Sequence, residues 1–451
     1  MAATEPGTEA RRVLLATYYF PPSGGPGVQR PLKFVKYLPG FGWRPVVLTV
    51  RPEDASYPDR DPALEAEIPP GVPVIRTRAW DPYALYARLL GKEKDAVVGV
   101  AFTGEGEPGA RHRLARWVRA NLFLPDARVG WTPFAGRAAR KLLRETPIDV
   151  VMTTGPPHST HLIGRALKRR AGMPWVADFR DPWTDIGYYG DLPFTAWACR
   201  LDARLERSVL EEADHVVTVS PSLKRLLARK TTTPVTVLPN GFDPDDFRGT
   251  VPVETGAFVL AHIGTLSASQ NPGALWRALR SLLDAGELPA LRLRLVGNVD
   301  PVVMRSLEAH GLADRTETIP YVPHDAAVRH MRRAALLLLS IPRVPDAEGI
   351  VTGKIFEYAA SGRPVLGVGP LPGDAAALLE ETGAGRLFAY DDAAGMTAFV
   401  REHYAAWASG RPLEGAAPRA AAPYGRAALT EKLAELLETV ADEAGRERGT
   451  G

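Results

Sequence analysis

The 451-residue chain contains one cysteine, Cys199, which excludes an intramolecular disulfide framework and any cysteine-cluster metal site. Lysine is also scarce: ten of the 55 Lys and Arg residues are lysines, so arginine supplies most of the positive charge. The formal net charge is only +3, too small for nucleic-acid binding through bulk charge. No apolar run approaches the roughly twenty residues that a membrane-spanning helix needs. The opening stretch MAATEPGTEARR lacks the apolar segment of a signal peptide, so the expected location is the cytoplasm. Wholesale disorder is excluded by a composition that is 45% hydrophobic and 24% charged.

What the chain does have is alternation. Val13 to Thr17 is an apolar strand opening onto Tyr18, Tyr19 and the glycine loop Gly24, Gly25, Gly27, followed by a helix from about Gln29 to Leu38. Strands are expected at Pro45 to Val50, Val74 to Arg76, Ile148 to Thr153, Trp175 to Asp178, His215 to Val219 and 235–238, with helices over 159–170 and 197–212. Strand, glycine-rich loop and helix in succession indicate a doubly wound α/β fold. The glycine loop does not match a dinucleotide fingerprint, because Gly25-Pro26-Gly27 leads to Val28, Gln29 and Arg30. It reads either as a plain turn cluster or as backbone free to approach a phosphate or sugar. The alternation lapses between Asp81 and Val129, where 104–109 (GEGEPG) is expected to be a loop. Residues 111–123 interleave Arg111, Arg113, Arg116 and Arg119 with Leu114, Trp117, Val118, Leu122 and Phe123. That pattern suits an interfacial helix, and equally a helix covering a core with a wet arginine face.

The polar stretch from Asp243 to Glu254 is read as a hinge, after which alternation restarts with strand 258–263, a helix near 272–285 and strand 291–296. Length and this restart predict two lobes with a cleft between them. The second half centres on 343–370, RVPDAEGIVTGKIFEYAASGRPVLGVGP, preceded by the apolar strand AALLLLSI. A helix from Gly353 to Ala360 carries Lys354 in its first turn, where its charge suits a phosphate. Glu357 lies three residues on, on the same face, and its two oxygens suit the vicinal diol of a ribose. A solvated Lys–Glu pair is the plain alternative. Ala428 to Ala444 is an amphipathic terminal helix.

Six pieces in this order, YYFPPSGGPGVQR, TTGPPHST, VADFRDPW, VTVS with VLPNGFD, IGTL and GKIFEYAASGRPVLGVG, resemble the family 4 glycosyltransferases, a retaining group with the two-lobed GT-B fold. The resemblance covers nearly the whole chain. It implies two Rossmann-like domains, 1–244 for the acceptor and 245–423 for a nucleoside-diphosphate-sugar donor, with 424–451 a helix crossing back to the first domain plus a tail. The implied donor residues are Glu357 at the ribose and Lys354 at the diphosphate. The backbone of Gly349, Ile350, Val351 and Thr352 would border the sugar and phosphates, Gly264 and Thr265 would face the diphosphate, and Gly25 would approach from across the cleft. Arg343 and Glu348 complete the donor set. Glu348 departs from the family pattern, with eight residues between it and Glu357 instead of seven, and Gln270 stands where many relatives carry a basic residue. His158 and Asp178 are the implied catalytic side chains, and Arg180 and Asp181 face the acceptor; a buried ion pair holding the lobe together is the plain alternative for the charges of DFRDPW.

The resemblance implies no cofactor and no metal, a glycan, lipid-linked or other acceptor, peripheral membrane contact through 111–123, and no nucleic acid. Two other readings share the fold: a nucleotide-sugar epimerase or hydrolase, and a catalytically silent binding protein of a glycan-assembly complex.

Overall fold

Parallel strands of almost unbroken apolar sequence build two sheets, each covered by helices on both faces. The computed structural model describes residues 10–57, 59–80, 110–187 and 189–449. The loop expected over 104–109 lies outside these residues. The chain forms two compact units, one comprising Met1–Val219, Leu223–Leu238 and Thr430–Gly451, the other Ser220–Ser222 and Pro239–Leu429.

In the first unit seven strands lie in the order β3-β2-β1-β4-β5-β6-β7: β1 Arg11–Thr17, β2 Trp43–Val50, β3 Val74–Thr77, β4 Val150–Gly155, β5 Trp175–Phe179, β6 His215–Thr218 and β7 Val235–Val237. All neighbours are parallel, which accounts for their continuous rather than alternating hydrophobicity. Successive β1 side chains still part to opposite faces. Leu14 and Ala16 join the core containing Trp131 and Trp175, while Val13 and Leu15 join the core containing Phe34 and Leu437. The helices are α1 Pro26–Tyr37, α2 Ala110–Leu122, α3 Thr132–Glu145, α4 His161–Ala171, α5 Ala196–Glu212 and α6 Pro221–Ala228.

The second unit repeats the plan with six strands in the order β10-β9-β8-β11-β12-β13: β8 Phe258–Ile263, β9 Leu291–Val296, β10 Thr316–Ile319, β11 Leu336–Ser340, β12 Val365–Val368 and β13 Gly385–Phe388. Its helices are α7 Gly273–Asp284, α8 Pro301–Ala309, α9 His324–Arg333, α10 Lys354–Ala360, α11 Asp374–Thr382, α12 Ala393–Ala408 and the single turn α13 Pro418–Ala421. The last helix, α14 Arg426–Gly449, has its first turn in the second unit and the remainder in the first. Leu433, Leu437 and Val440 are buried with Val13 and Leu15, and Arg11 pairs with Asp442 at 2.5 Å.

Strand order reverses between β1 and β4 and again between β8 and β11. At such switch points the chain leaves the carboxyl ends of adjacent strands in opposite directions and opens a crevice. The four chain segments that follow these strands hold Gly25, His158, Gly264 and Arg343. No described helix is long and apolar enough to cross a membrane.

Candidate functional site

In the second unit β8 ends in Gly264 and Thr265. Gly264 has φ of 105° and Gly297, at the end of β9, has φ of 114°, both in the region that disfavours a side chain. A Cβ on Gly297 would sit 2.8 Å from the Gly264 carbonyl oxygen, and one on Gly264 would sit 3.2 Å from Lys354 Nζ. The two strand ends therefore pack backbone on backbone, and Lys354 lies directly over the first.

Helix α10 is pinned there by Tyr358, whose buried hydroxyl oxygen accepts the Ile263 N–H at 3.0 Å. Lys354 is one turn before Tyr358 and so faces the same strand end. Its ammonium lies 3.3 Å from His262 Nε2 and 3.4 Å from the Thr265 carbonyl. Among the described residues no carboxylate ion-pairs with it. Burial lowers the lysine to about 8, with Glu357 acting in the opposite sense.

Glu357 is the centre of a second cluster. Its carboxyl is pushed up by burial, against the lowering influence of His324, Arg426 and Lys354. His324 Nε2 lies 4.0 Å from Glu357 Oε1 and 3.0 Å from Asp246 Oδ2. The Thr352 hydroxyl, just before α10, is buried without a hydrogen-bond partner. Gly349 accepts at its carbonyl from Ser220 Oγ at 3.0 Å, and Ile350 and Val351 are half-buried between these points.

The remaining donor-side expectations fall further out. Arg343 is exposed, stacked 4.5 Å over the Tyr390 ring and bonded to Asp391 Oδ1 at 3.2 Å. Glu348 is exposed on the short turn Ala347–Gly349. Gln270 is spent on structure: its amide donates to the Ser340 carbonyl at 2.8 Å and its oxygen accepts the Ser267 N–H at 3.1 Å.

In the first unit the charges are consumed by the framework. Asp178 is wholly buried, and its carboxylate receives Arg30 Nε and Nη2 at 2.9 and 2.8 Å and the Thr154 hydroxyl at 2.8 Å. Expected as a catalytic group, it has no surface on which to touch a ligand and acts instead as the counter-ion of Arg30. Arg180, expected to face an acceptor, has its guanidinium on three carbonyls: Gly155 at 3.1 Å, Gly27 at 2.7 Å and Pro156 at 2.6 Å. The Gly27 carbonyl is free for this because Pro31, four residues on in α1, has no N–H to give it. Asp181 is exposed. Gly25 directly precedes α1, with φ of 80°.

His158 follows β4 and stacks on Trp183 with ring centroids 4.9 Å apart and planes within 10°. Burial lowers its imidazole to about 3, countered by a hydrogen bond to the Pro182 backbone. Its Nδ1 is buried without a hydrogen-bond partner. Pro182 offers only a carbonyl, so the neutral ring's one proton faces it and the open Nδ1 can accept one hydrogen bond, with no charge on the ring near neutrality. Beside it His161 stacks on Phe179 at 4.5 Å and hydrogen-bonds Thr153 Oγ1 at 2.9 Å.

Sequence reasoning missed His262, His324, Asp246 and the Arg30–Asp178 pair. Only His262 left a signal, a histidine inside the otherwise apolar strand FVLAHI. Among the described residues no group of three or more His, Cys, Asp or Glu side chains could hold a metal ion.

The model for Glycosyltransferase Family 4 matches residues 83–246, and that for Glycosyl transferases group 1 matches residues 257–405. No curated protein matches the sequence. Solved structures of similar fold include a glycosyltransferase from Rickettsia africae, 13% identical over 96% of this chain and 99% of that one with a TM-score of 0.61. Sucrose-phosphate synthase from Thermosynechococcus elongatus is 15% identical over 98% of both chains, with a TM-score of 0.55. The Anabaena protein HepE, solved with UDP and glucose, is 16% identical over 94% and 99%, with a TM-score of 0.53. The two family models together span more than half of the sequence, and the two Rossmann-like sheets are those of the GT-B fold: the chain belongs to the family 4 glycosyltransferases.

Proposed function

We propose that this glycosyltransferase moves a sugar from a nucleoside-diphosphate donor to a glycan, lipid-linked or other hydroxyl acceptor, with retention at the anomeric carbon and without a metal. The observation that carries the reading is the α10 face that presents Lys354 and Glu357 beside Gly264 and Thr265 at the end of β8. Lys354 supplies positive charge for the departing diphosphate, and Glu357 accepts from the ribose hydroxyls. The backbone of Gly349 to Thr352 borders the sugar and phosphates, with the open Thr352 hydroxyl available to one of them. The UDP and glucose in the HepE structure support a donor of this class. On the acceptor side, neutral His158 accepts a hydrogen bond at its open Nδ1, while Asp178 and Arg180 hold the loops that position it.

In a front-face mechanism the acceptor oxygen bonds to the anomeric carbon on the side from which the diphosphate leaves. The bond to the phosphate oxygen breaks with its electron pair, and that oxygen takes the acceptor proton. No enzyme nucleophile is needed. The test is a panel of UDP-, GDP-, ADP- and dTDP-sugars assayed for released nucleoside diphosphate with candidate acceptors, followed by NMR of the product anomer. Release that depends on acceptor, with the donor configuration kept, is expected. An inverted product removes retention, and acceptor-independent epimerisation removes transfer.

Peripheral contact with an anionic membrane through 111–123 belongs to the same reading. Leu114 and Leu122 are 62% and 64% exposed and Trp117 is 43% exposed, with Arg113 and Arg116 exposed beside them. Apolar side chains flanked by arginine suit the headgroup boundary. Failure to float with anionic liposomes removes this contact.

A further inference from the structure

The Lys354 ammonium faces His262 Nε2 and the Thr265 carbonyl, and the proton on His262 decides whether the ring nitrogen can accept from it. β8 and β11 are paired at Leu260–Leu336 and Ala261–Leu337 and then part at the switch point. Gly264 turns its N–H toward β9, onto Val296 O, so Ile263 faces β11. The Ile263 N–H nevertheless goes to the Tyr358 hydroxyl. The Leu338 carbonyl is instead met by the His262 side chain, with Nδ1 at 3.0 Å. His262 is fully buried and plugs the gap where the ladder ends.

Three protonation states are conceivable. An imidazolium would sit beside the Lys354 ammonium in a buried site, and burial together with that charge lowers the ring to about 3. A neutral ring protonated at Nε2 would donate to the Thr265 carbonyl at 3.1 Å. It would then set the bare Nδ1 lone pair against the Leu338 oxygen and turn its N–H toward the lysine. A neutral ring protonated at Nδ1 donates to Leu338 and offers Nε2 to the ammonium, which bridges to the Thr265 oxygen. Of the two neutral states only this one gives both ring nitrogens a complementary partner, with the ammonium shared between the Nε2 and Thr265 oxygen lone pairs, which lie 3.1 Å apart.

We propose that His262 is a positioning residue for donor binding: protonated at Nδ1, it uses Nε2 to fix the Lys354 ammonium over Gly264 without cancelling its charge. A carboxylate in that place would hold the lysine equally well but neutralise it before the diphosphate arrived. The titratable groups facing Lys354 are His262 from β8 and Glu357 from its own helix, with His324, Asp246 and Arg426 grouped around Glu357. This inference rests on the donor reading above.

The first test needs no donor. Ring 15N chemical shifts of the full-length protein, with His262 identified by its loss in His262→Gln, are expected to show a protonated Nδ1 and a bare Nε2. Protonation at Nε2, or at both nitrogens, overturns the proposal. The second test is calorimetric titration with UDP, GDP and ADP from neutral to alkaline pH. Wild-type affinity is expected to fall as pH passes about 8. In His262→Leu the ammonium has lost an acceptor, so the fall should begin at lower pH, with affinity near neutrality weaker by about tenfold. His262→Gln, whose amide oxygen can accept, should recover part of both. A purely structural histidine would weaken binding equally at every pH, and an unshifted midpoint in His262→Leu overturns the proposal. Wild-type protein that binds none of the three nucleotides overturns the donor reading, with the ring tautomer then judging the His262–Lys354 arrangement separately.

Discussion

The strand ends of the two units share a topology and handle charge in opposite ways. In the first unit Asp178, Arg30 and Arg180 are spent on one another and on main-chain carbonyls. In the second, Lys354 is steadied by a neutral ring and a carbonyl and keeps its charge. A buried ion pair costs desolvation on both sides and gives geometry in return. A cation held by neutral acceptors costs desolvation too, and its depressed pKa records that cost. What remains is a charge that an anionic ligand can stabilise. One switch point closes its charges on the framework, and the other leaves a cation without a carboxylate partner among the described residues.

The sharpest way to break this comparison is to remove one member of the rigid pair. Asp178→Ala leaves Arg30 buried and uncompensated, with an expected loss of about 3–5 kcal/mol of stability in urea unfolding. Unchanged stability accompanied by lost turnover would instead make Asp178 a group of the chemistry. Lys354→Met should keep the fold and lower kcat by about a hundredfold, the size expected for loss of one charge-stabilising group; a kcat within a few-fold of wild type would remove it from the leaving-group site. Glu357→Ala should weaken nucleoside-diphosphate binding by about tenfold or more while its melting temperature stays near that of wild type, because a hydrogen bond to a charged acceptor contributes roughly 1.5–3 kcal/mol. Unaltered affinity in calorimetry would end the ribose assignment.

Two smaller effects sharpen the contrast. Lys354 is lowered to about 8 by burial, so the cationic form that favours a diphosphate is complete below that pH and lost above it. Donor affinity should therefore be flat near neutrality and fall with rising alkalinity, approaching tenfold per pH unit. Lys354→Arg should abolish the fall, since guanidinium does not titrate there. In the first unit His158→Ala should lower turnover by about tenfold with little change in donor affinity. Equal losses in both would move His158 to the donor.

The Lys354–Glu357 spacing, the strands around it and the restart of alternation after residue 243 were legible because they are local. An apolar run, a helical face and a glycine at a strand end are all set by near neighbours in sequence. The short polar strands TETI (β10) and GRLF (β13) were not legible, because their place is fixed by pairing with β9 and β12 rather than by their own hydrophobicity. A buried ion pair at Asp178 was among the readings the sequence allowed, but its partner was not legible, since Arg30 is 148 residues away. Gln270 stands where many relatives carry a basic residue, and its bonds to Ser340 and Ser267 brace a loop, which the sequence did not disclose.

By itself, then, the sequence determined the doubly wound plan of each half and the placing of a cation and a carboxylate on one short helix face. Those features follow from periodicity and from the reach of adjacent side chains. Only the tertiary structure decided which charges are free. Whether a buried charge is cancelled or held open depends on the atoms that share its desolvated space, and these come from strands and helices far apart in the chain. At Lys354 they are a histidine nitrogen and a carbonyl oxygen from the end of β8, 92 and 89 residues away.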